Sequence, residues 1–306
     1  MTRSRAILLF SALLGAAVGG SPTPARAELR VFSCEPQWAA LAREIGGDRV
    51  HVDSATTAHQ DVHYIQARPS LISKLRRADL LVFSGAELEI GWLPLLLRKA
   101  SNGKVQPGEP GHLDVSQVVP MLGVPTRIDR AEGDIHPYGN PHTQTDPHNV
   151  ARVAAELARR MAQLDPGGKD VYQSRYDDFA ARWTKAVAGW ELRAAPLRGM
   201  EIITHHLAWV YMAHWLGLVV VEHLEAKPGI PPTASHLSKL LDELEHHQVR
   251  AIVRATYQPE RPSEWLSERS GLTAIVLPHC VGSTDGATDL FAMFDDMVSS
   301  LLEATK

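Results

Sequence analysis

The 306-residue chain has little cysteine. Its only two cysteines, Cys34 and Cys280, are far apart in the sequence. In an exporting cell they could form one disulfide if the fold brought them together, but we favour two free thiols. We expect Cys34 to be a small buried residue.

The chain also lacks an apolar run long enough to span a bilayer as a mature helix. The run at residues 6–18 is too short for that, and it follows Arg3 and Arg5, which is typical of a secretory signal. The small residues at positions 25 and 27 predict cleavage before Glu28, so residues 1–27 form the signal peptide. No cysteine lies at the cleavage point. We therefore expect no lipid anchor and a soluble periplasmic product.

An excess of positive charge is missing as well. Removing the three arginines of the signal peptide from the 31 basic residues leaves 28 against 35 acidic residues, a formal charge of −7. Nucleic acid is therefore a poor candidate partner. The mature length is sufficient for one large domain or two smaller ones.

Short β-branched runs alternate with helical patterns in the first half of the mature chain, which predicts an α/β fold with parallel sheets. We predict strands near residues 29–32, 49–52 and 80–83. Asp146 followed by Pro147 predicts the start of a helix that ends near residue 164. These elements define an N-terminal lobe at residues 28–165.

A second long helix is predicted from about residue 169 to residue 195. At 1.5 Å per residue it would be about 40 Å long, which suits a linking spine at residues 166–197. The alternation then restarts, with strands near residues 201–203, 218–221, 249–253 and 274–277. We therefore predict a C-terminal lobe at residues 198–306.

Three histidines, His63, His142 and His206, come from three separate stretches of the chain and follow predicted strands or lie in a proline-bearing turn. Ligands of open α/β sheets bind beyond the carboxyl ends of the strands. Neutral imidazole is the commonest protein ligand for transition metals. The pattern therefore predicts one metal site, assembled by folding in the cleft between the two lobes.

The segments around these histidines resemble motifs of a known family. Residues 60–64 (Gln-Asp-Val-His-Tyr), 139–142 (Gly-Asn-Pro-His) and 204–209 (Thr-His-His-Leu-Ala-Trp) are similar to the three metal motifs of one family. That family is the cluster A-I substrate-binding proteins of zinc and manganese ABC importers, the ZnuA-like receptors of the TroA superfamily. The resemblance covers essentially the whole mature chain, including the spine helix.

The resemblance implies that His63, His142 and His206 are nitrogen ligands, with His206 favoured over His205. Family members commonly offer a carboxylate after the last strand, whereas this chain has His279 in that place. We place His279 slightly ahead of Asp285 and of water as the fourth ligand. His59 and His136 flank the motifs and could relay the metal inward, but we favour a purely structural interpretation of both.

These expectations combine into a function. Three or four imidazoles favour Zn²⁺ over manganese, which prefers oxygen ligands. The resemblance implies a monomeric, non-enzymatic periplasmic receptor that carries Zn²⁺ to the membrane permease of an ABC importer, and a manganese receptor is the alternative.

Two other classes of protein would also gather histidines. A periplasmic zinc hydrolase is less favoured, because the chain has neither a His-Glu-x-x-His helix nor a Gly-x-Ser-x-Gly elbow. A zinc buffer or adhesin would share the fold and the site but would lack a permease partner.

Overall fold

The computed structural model of the protein describes residues 28–128, residue 131 and residues 133–305. The predicted signal peptide, residues 1–27, lies outside the described residues. Among the described residues no helix combines the length and the apolar character needed to cross a membrane.

The first half of the chain forms a four-stranded parallel sheet with its helices. The strands are β1 (Leu29–Ser33), β2 (Val50–Ser54), β3 (Leu80–Phe83) and β4 (His112–Asp114), in the order β2-β1-β3-β4. The helices are α1 (Pro36–Gly46), α2 (Pro69–Arg76), α3 (Leu93–Ala100) and α4 (Pro147–Leu164). All four residues of β3 are buried, as expected of a central parallel strand covered on both faces.

The second half repeats this arrangement. Its strands are β5 (Glu201–Thr204), β6 (Val219–His223), β7 (Val249–Arg254) and β8 (Thr273–Val276), all parallel and in the order β6-β5-β7-β8. Its helices are α6 (Val210–Leu216), α7 (Ala234–Glu243), α8 (Glu260–Ser270) and α9 (Leu290–Glu303). The predicted α/β fold with two parallel sheets is confirmed.

The predicted spine is helix α5, Lys169–Ala194, with one turn of 3-10 helix at each end. Its Trp183 packs on Phe179 of the same helix and on Phe291 and Phe294 of α9, with ring centroids 4.9 to 5.4 Å apart. A single hydrophobic core includes residues of both sheets together with α4, α5 and α9. This shared core packs both sheets against the same helices. The lobe boundaries given above stay a prediction.

Candidate metal centre

His63 lies in a single turn of 3-10 helix, Val62–Tyr64, between β2 and α2. The Asp61 carboxylate accepts hydrogen bonds from the His63 backbone N–H at 3.0 Å and from the ring Nδ1 at 2.6 Å. A carboxylate on Nδ1 selects the tautomer that leaves Nε2 with a free lone pair. That Nε2 is buried and has no hydrogen-bond partner.

His206 lies two residues after the end of β5, and its ring is oriented in the same way. Its Nδ1 donates to Glu225 Oε2 at 2.7 Å, and the same carboxylate oxygen accepts from the backbone N–H of Gly229 at 2.8 Å. Glu225 lies just beyond the carboxyl end of β6, the strand next to β5. Two neighbouring strands of the second sheet therefore supply the imidazole and the carboxylate that orients it.

His142 is held differently. It lies in the turn before α4, where Asn140 Oδ1 accepts from its backbone N–H at 3.0 Å. Asn140 Nδ2 donates to the carbonyl of Leu207 at 2.7 Å, and Tyr211 donates to the Asn140 carbonyl at 2.8 Å. These bonds join the His142 turn to the segment after His206. His142 is only 4% exposed, and its Nε2 has no hydrogen-bond partner.

These three imidazoles form one cluster. The ring centroids are 5.6 Å apart for His63 and His142, 5.8 Å for His63 and His206, and 5.5 Å for His142 and His206. One nitrogen of each ring lies within 4.8 Å of the others. The structure thus brings together the three histidines that the sequence had suggested, and neutral imidazoles in this arrangement are a donor set for a transition-metal cation.

The pKa shifts of His142 and Asp61 favour cation binding at this centre. Burial, followed by the nearby His206 and His63, holds the pKa of His142 well below its ordinary value. Burial pushes the pKa of Asp61 upward, but its hydrogen bond to His63 and the charge of that ring outweigh burial, and the pKa is lowered. Asp61 is therefore ionised, and it hydrogen-bonds the ring of His63, whose Nε2 is free to bind a metal.

His279 lies outside the three-histidine cluster. It follows β8, its ring packs on Tyr257 with centroids 4.8 Å apart, and its Nε2 is 3.5 Å from the Cys280 Sγ. It lines an interior cavity of about 30 Å³ together with His142, and its buried Nδ1 has no partner. Burial lowers its pKa to about 4. Its role as a fourth ligand stays a prediction.

The alternatives at the fourth position are placed as follows. Asp285 is exposed on the loop between β8 and α9. His205 is buried, points toward the other oxygen of Glu225 at 3.8 Å and does not belong to the cluster. The remaining alternative, a water molecule as the fourth ligand, involves no protein side chain.

His136, for which the sequence favoured a structural role, lies beside the cluster. Its ring centroid is 5.6 Å from that of His63, its Nδ1 donates to the carbonyl of Ala86 at 3.1 Å, and its buried Nε2 has no partner. Burial, with the charges of His63 and His206, lowers its pKa to about 4. Together with His142 and His206 it lines a cavity of about 360 Å³.

The sequence reasoning also missed the two carboxylates. Asp61 stands two residues before His63, a spacing that allows a local turn in which the carboxylate accepts the backbone N–H and the ring. Glu225 carried a weaker signal, namely an acid just after a predicted strand. Nothing local in the sequence pairs it with His206, which is 19 residues away.

The fold and the site define a class of protein, the metal-binding substrate-binding proteins. The sequence model of one family, described as ZnuA, the periplasmic zinc-uptake complex component A, matches residues 31–304. The chain therefore belongs to the ZnuA family of periplasmic metal-binding proteins of zinc and manganese ABC importers. The family consists of substrate-binding proteins rather than enzymes, so the hydrolase alternative is excluded.

Individual relatives differ in the metal that their names give. The chain is 27% identical to the high-affinity zinc uptake system protein ZnuA of Paracoccus denitrificans, with 90% of this chain and 92% of that protein covered. It is 22% identical to the manganese ABC transporter substrate-binding lipoprotein PsaA of Streptococcus pneumoniae, covering 87% and 84%.

Solved structures share the fold. A crystal structure of ZnuA superposes with a TM-score of 0.74 at 22% identity, covering 90% of this chain and 99% of that one. A cadmium-bound periplasmic metal-binding protein of Candidatus Liberibacter asiaticus superposes with a TM-score of 0.75 at 16% identity, covering 91% and 100%.

Proposed function

We propose that the protein captures Zn²⁺ with His63, His142 and His206, uses His279 as the fourth ligand, and delivers the ion to the membrane permease of an ABC importer. The observation that carries this proposal is the convergence of three imidazoles, two of which have a buried Nε2 without a partner. Nitrogens that share a tetrahedral zinc lie roughly 3.4 Å apart, so small ring movements would close the cluster on the ion.

The choice of zinc rests on the donor atoms. The cluster offers nitrogen, and the two carboxylates bonded to its rings, Asp61 and Glu225, are occupied by the Nδ1 atoms of His63 and His206. Manganese prefers oxygen ligands, whereas imidazole suits zinc. The named zinc relative supports this choice, and the manganese relative makes Mn²⁺ the alternative cargo.

The delivery step depends on the lobes. The proposed ligands follow strands of both sheets, so binding of the ion would hold the two lobes in one arrangement. Because both sheets share one core along α5, we expect only a small movement between the free and loaded forms. The loaded monomer would be recognised by the permease after export with cleavage before Glu28.

The first experiment is metal analysis and zinc titration of residues 28–306 without a histidine tag. Elemental analysis gives the stoichiometry, and competition with a chromophoric chelator gives the affinity, for the unaltered protein, His206→Ala and His279→Ala. His51→Ala is the matched control, because His51 is an exposed histidine on β2. The same titration with Mn²⁺ tests the alternative cargo.

We expect the histidine cluster to bind one zinc in the unaltered protein and in the control, and both site variants to bind one zinc fewer. If the cluster of His279→Ala still binds zinc, another group is the fourth ligand, and His136→Ala is the next variant to test. Failure of the unaltered protein to bind zinc, or a preference for Mn²⁺, would overturn the zinc assignment. Lower zinc uptake by cells that lack the gene separates a receptor from a zinc buffer.

A further inference from the structure

A second group of potential ligands lies in the first lobe, and one of its members, Glu35, lines the same cavity as His142 and His279. Cys34 and Glu35 follow the carboxyl end of β1, and Glu89 lies in the turns after β3, the neighbouring strand. The Cys34 Sγ and one carboxylate oxygen of each glutamate lie within 4.8 Å of one another. All three residues are at most 4% exposed.

The two glutamates are in different situations. Glu89 Oε1 accepts from the backbone N–H of Ser84 at 2.8 Å, and its Oε2 accepts from that of Gly85 at 3.1 Å. Both oxygens of Glu35 are buried, and its carboxyl is in hydrogen-bonding contact with that of Glu89 and with Ser84, so the two glutamates share a proton when no cation is bound. A carboxylate removed from water needs a cation or hydrogen-bond donors to offset its lost hydration. The Glu35–Glu89 pair therefore needs either a shared proton or a cation.

The surroundings of Glu35 are rich in acceptors. It lines the same interior cavity of about 30 Å³ as Gln37 and Gln144, whose Oε1 atoms are buried without partners. Burial and the charge of Glu89 raise the pKa of Glu35 well above its ordinary value, and burial with both glutamates raises the pKa of the Cys34 thiol. The environment disfavours negative charge unless a cation enters with it.

We propose that Cys34 Sγ and the carboxylates of Glu35 and Glu89 form a second, buried binding site for a divalent cation of the zinc and cadmium class. Thiolate sulfur favours these borderline-soft and soft ions over manganese or magnesium. Binding releases the thiol proton, and any proton held by the glutamates, to solvent. The thiolate and two carboxylates then bring three negative charges against the two positive charges of the ion.

This site would also act on the neighbouring turn. Ala86 and Glu87 have positive φ angles of 48° and 68°, a strained conformation for residues with a Cβ, and Glu89 holds the start of that turn. The Ala86 carbonyl in turn accepts from His136, beside the three-histidine cluster. An ion on Glu89 would therefore stabilise a turn that borders the cargo centre.

The test uses Co²⁺ and Cd²⁺ on reduced residues 28–306 carrying His63→Ala, His142→Ala and His206→Ala together, which removes the cargo centre. We expect one bound ion with a thiolate-to-metal charge-transfer band in the ultraviolet, a band that histidine ligands do not give. Adding Cys34→Ser should abolish the band. Adding Glu35→Gln, which keeps the shape of the side chain, should weaken binding by at least about tenfold.

Cys280→Ser is the matched control, because Cys280 is the other buried free thiol and should leave the band unchanged. Circular dichroism of each variant checks that it is folded. The proposal is overturned if the triple-histidine variant binds no ion, if the band follows Cys280, or if thiol titration of the exported protein finds Cys34 in a disulfide. These outcomes leave the zinc assignment of the histidines standing, because that assignment depends on the zinc lost in His206→Ala and His279→Ala, which do not change Cys34 or Glu35.

Discussion

His63 and His206 differ from His142 in what orients the ring. The first two donate Nδ1 to a carboxylate, Asp61 or Glu225, at 2.6 and 2.7 Å. Among the described residues no carboxylate bonds to the ring of His142, which is positioned through its backbone by Asn140. Negative charge supports two imidazoles, whereas burial, followed by the neighbouring rings of His206 and His63, keeps the third neutral. One cluster therefore combines two ways of preparing a nitrogen ligand.

The largest consequence of this difference concerns pH. Burial holds the pKa of His142 well below its ordinary value and lowers those of His136, His205, His223 and His279 to about 4. Unfolded histidine titrates near pH 6.5, so between about pH 6.5 and 4 the unfolded chain binds more protons than the folded one. The stability contributed by the neutral rings is complete above pH 6.5 and is lost as pH falls toward 4.

We therefore expect the metal-free protein to lose up to about 1.4 kcal/mol of unfolding free energy per pH unit for each such histidine in this window. Chemical denaturation at pH 7.5, 6 and 5 measures the slope. His142→Gln should lower the slope by the contribution of one histidine. Zinc affinity should fall over the same range because protons compete for the ligands, and equal affinity at pH 7.5 and 5 would contradict this account.

The carboxylates provide a second way to test the comparison. Asp61→Asn and Glu225→Gln keep the size of the side chain but remove the charge behind His63 and His206. Loss of an outer partner of a metal ligand typically costs 10- to 100-fold in affinity, and we expect about tenfold for each variant. Zinc competition titration measures the change.

Glu222→Gln is the control for these variants, since Glu222 is an exposed acid on the same strand β6 that leads to Glu225. An effect of similar size in the control would mean that general surface charge, rather than the bond to the imidazole, sets the affinity.

The smallest expected effect concerns the backbone support of His142. Asn140→Ala removes the acceptor for the His142 N–H and the donor to the Leu207 carbonyl, both in a region with little exposure. We expect a loss of about 1 to 3 kcal/mol in thermal or chemical unfolding, with a modest fall in zinc affinity. If Asn140→Ala lowered the affinity more than Glu225→Gln, backbone placement rather than charge would dominate the centre.

Much of the fold could be predicted because its signals are local. The Asp146-Pro147 pair begins α4, and the long pattern of α5 ends within one residue of the expected end. Strand β4, His112–Asp114, was not predicted, since three residues are too short to show a hydrophobic period. Its place at the edge of the sheet is decided by pairing with β3.

The site was predictable only in part. His63, His142 and His206 stand in recognisable motifs, and the structure brings them together. His136 stood out only as a histidine that flanks a motif and Glu225 only as an acid after a predicted strand, and their nearness to the cluster depends on the path of two loops.

The sequence by itself determined the alternation of strands and helices, the two parallel sheets, the long spine and the three histidines, because each depends on residue types at short spacing. Only the tertiary structure decided which acids support which imidazoles, that His279 lies outside the cluster, and that Glu35 is buried beside Glu89 and Cys34. The physical reason is that distant segments become buried and hydrogen-bonded to one another only when the carboxyl ends of several strands meet. No single segment of the sequence carries that information.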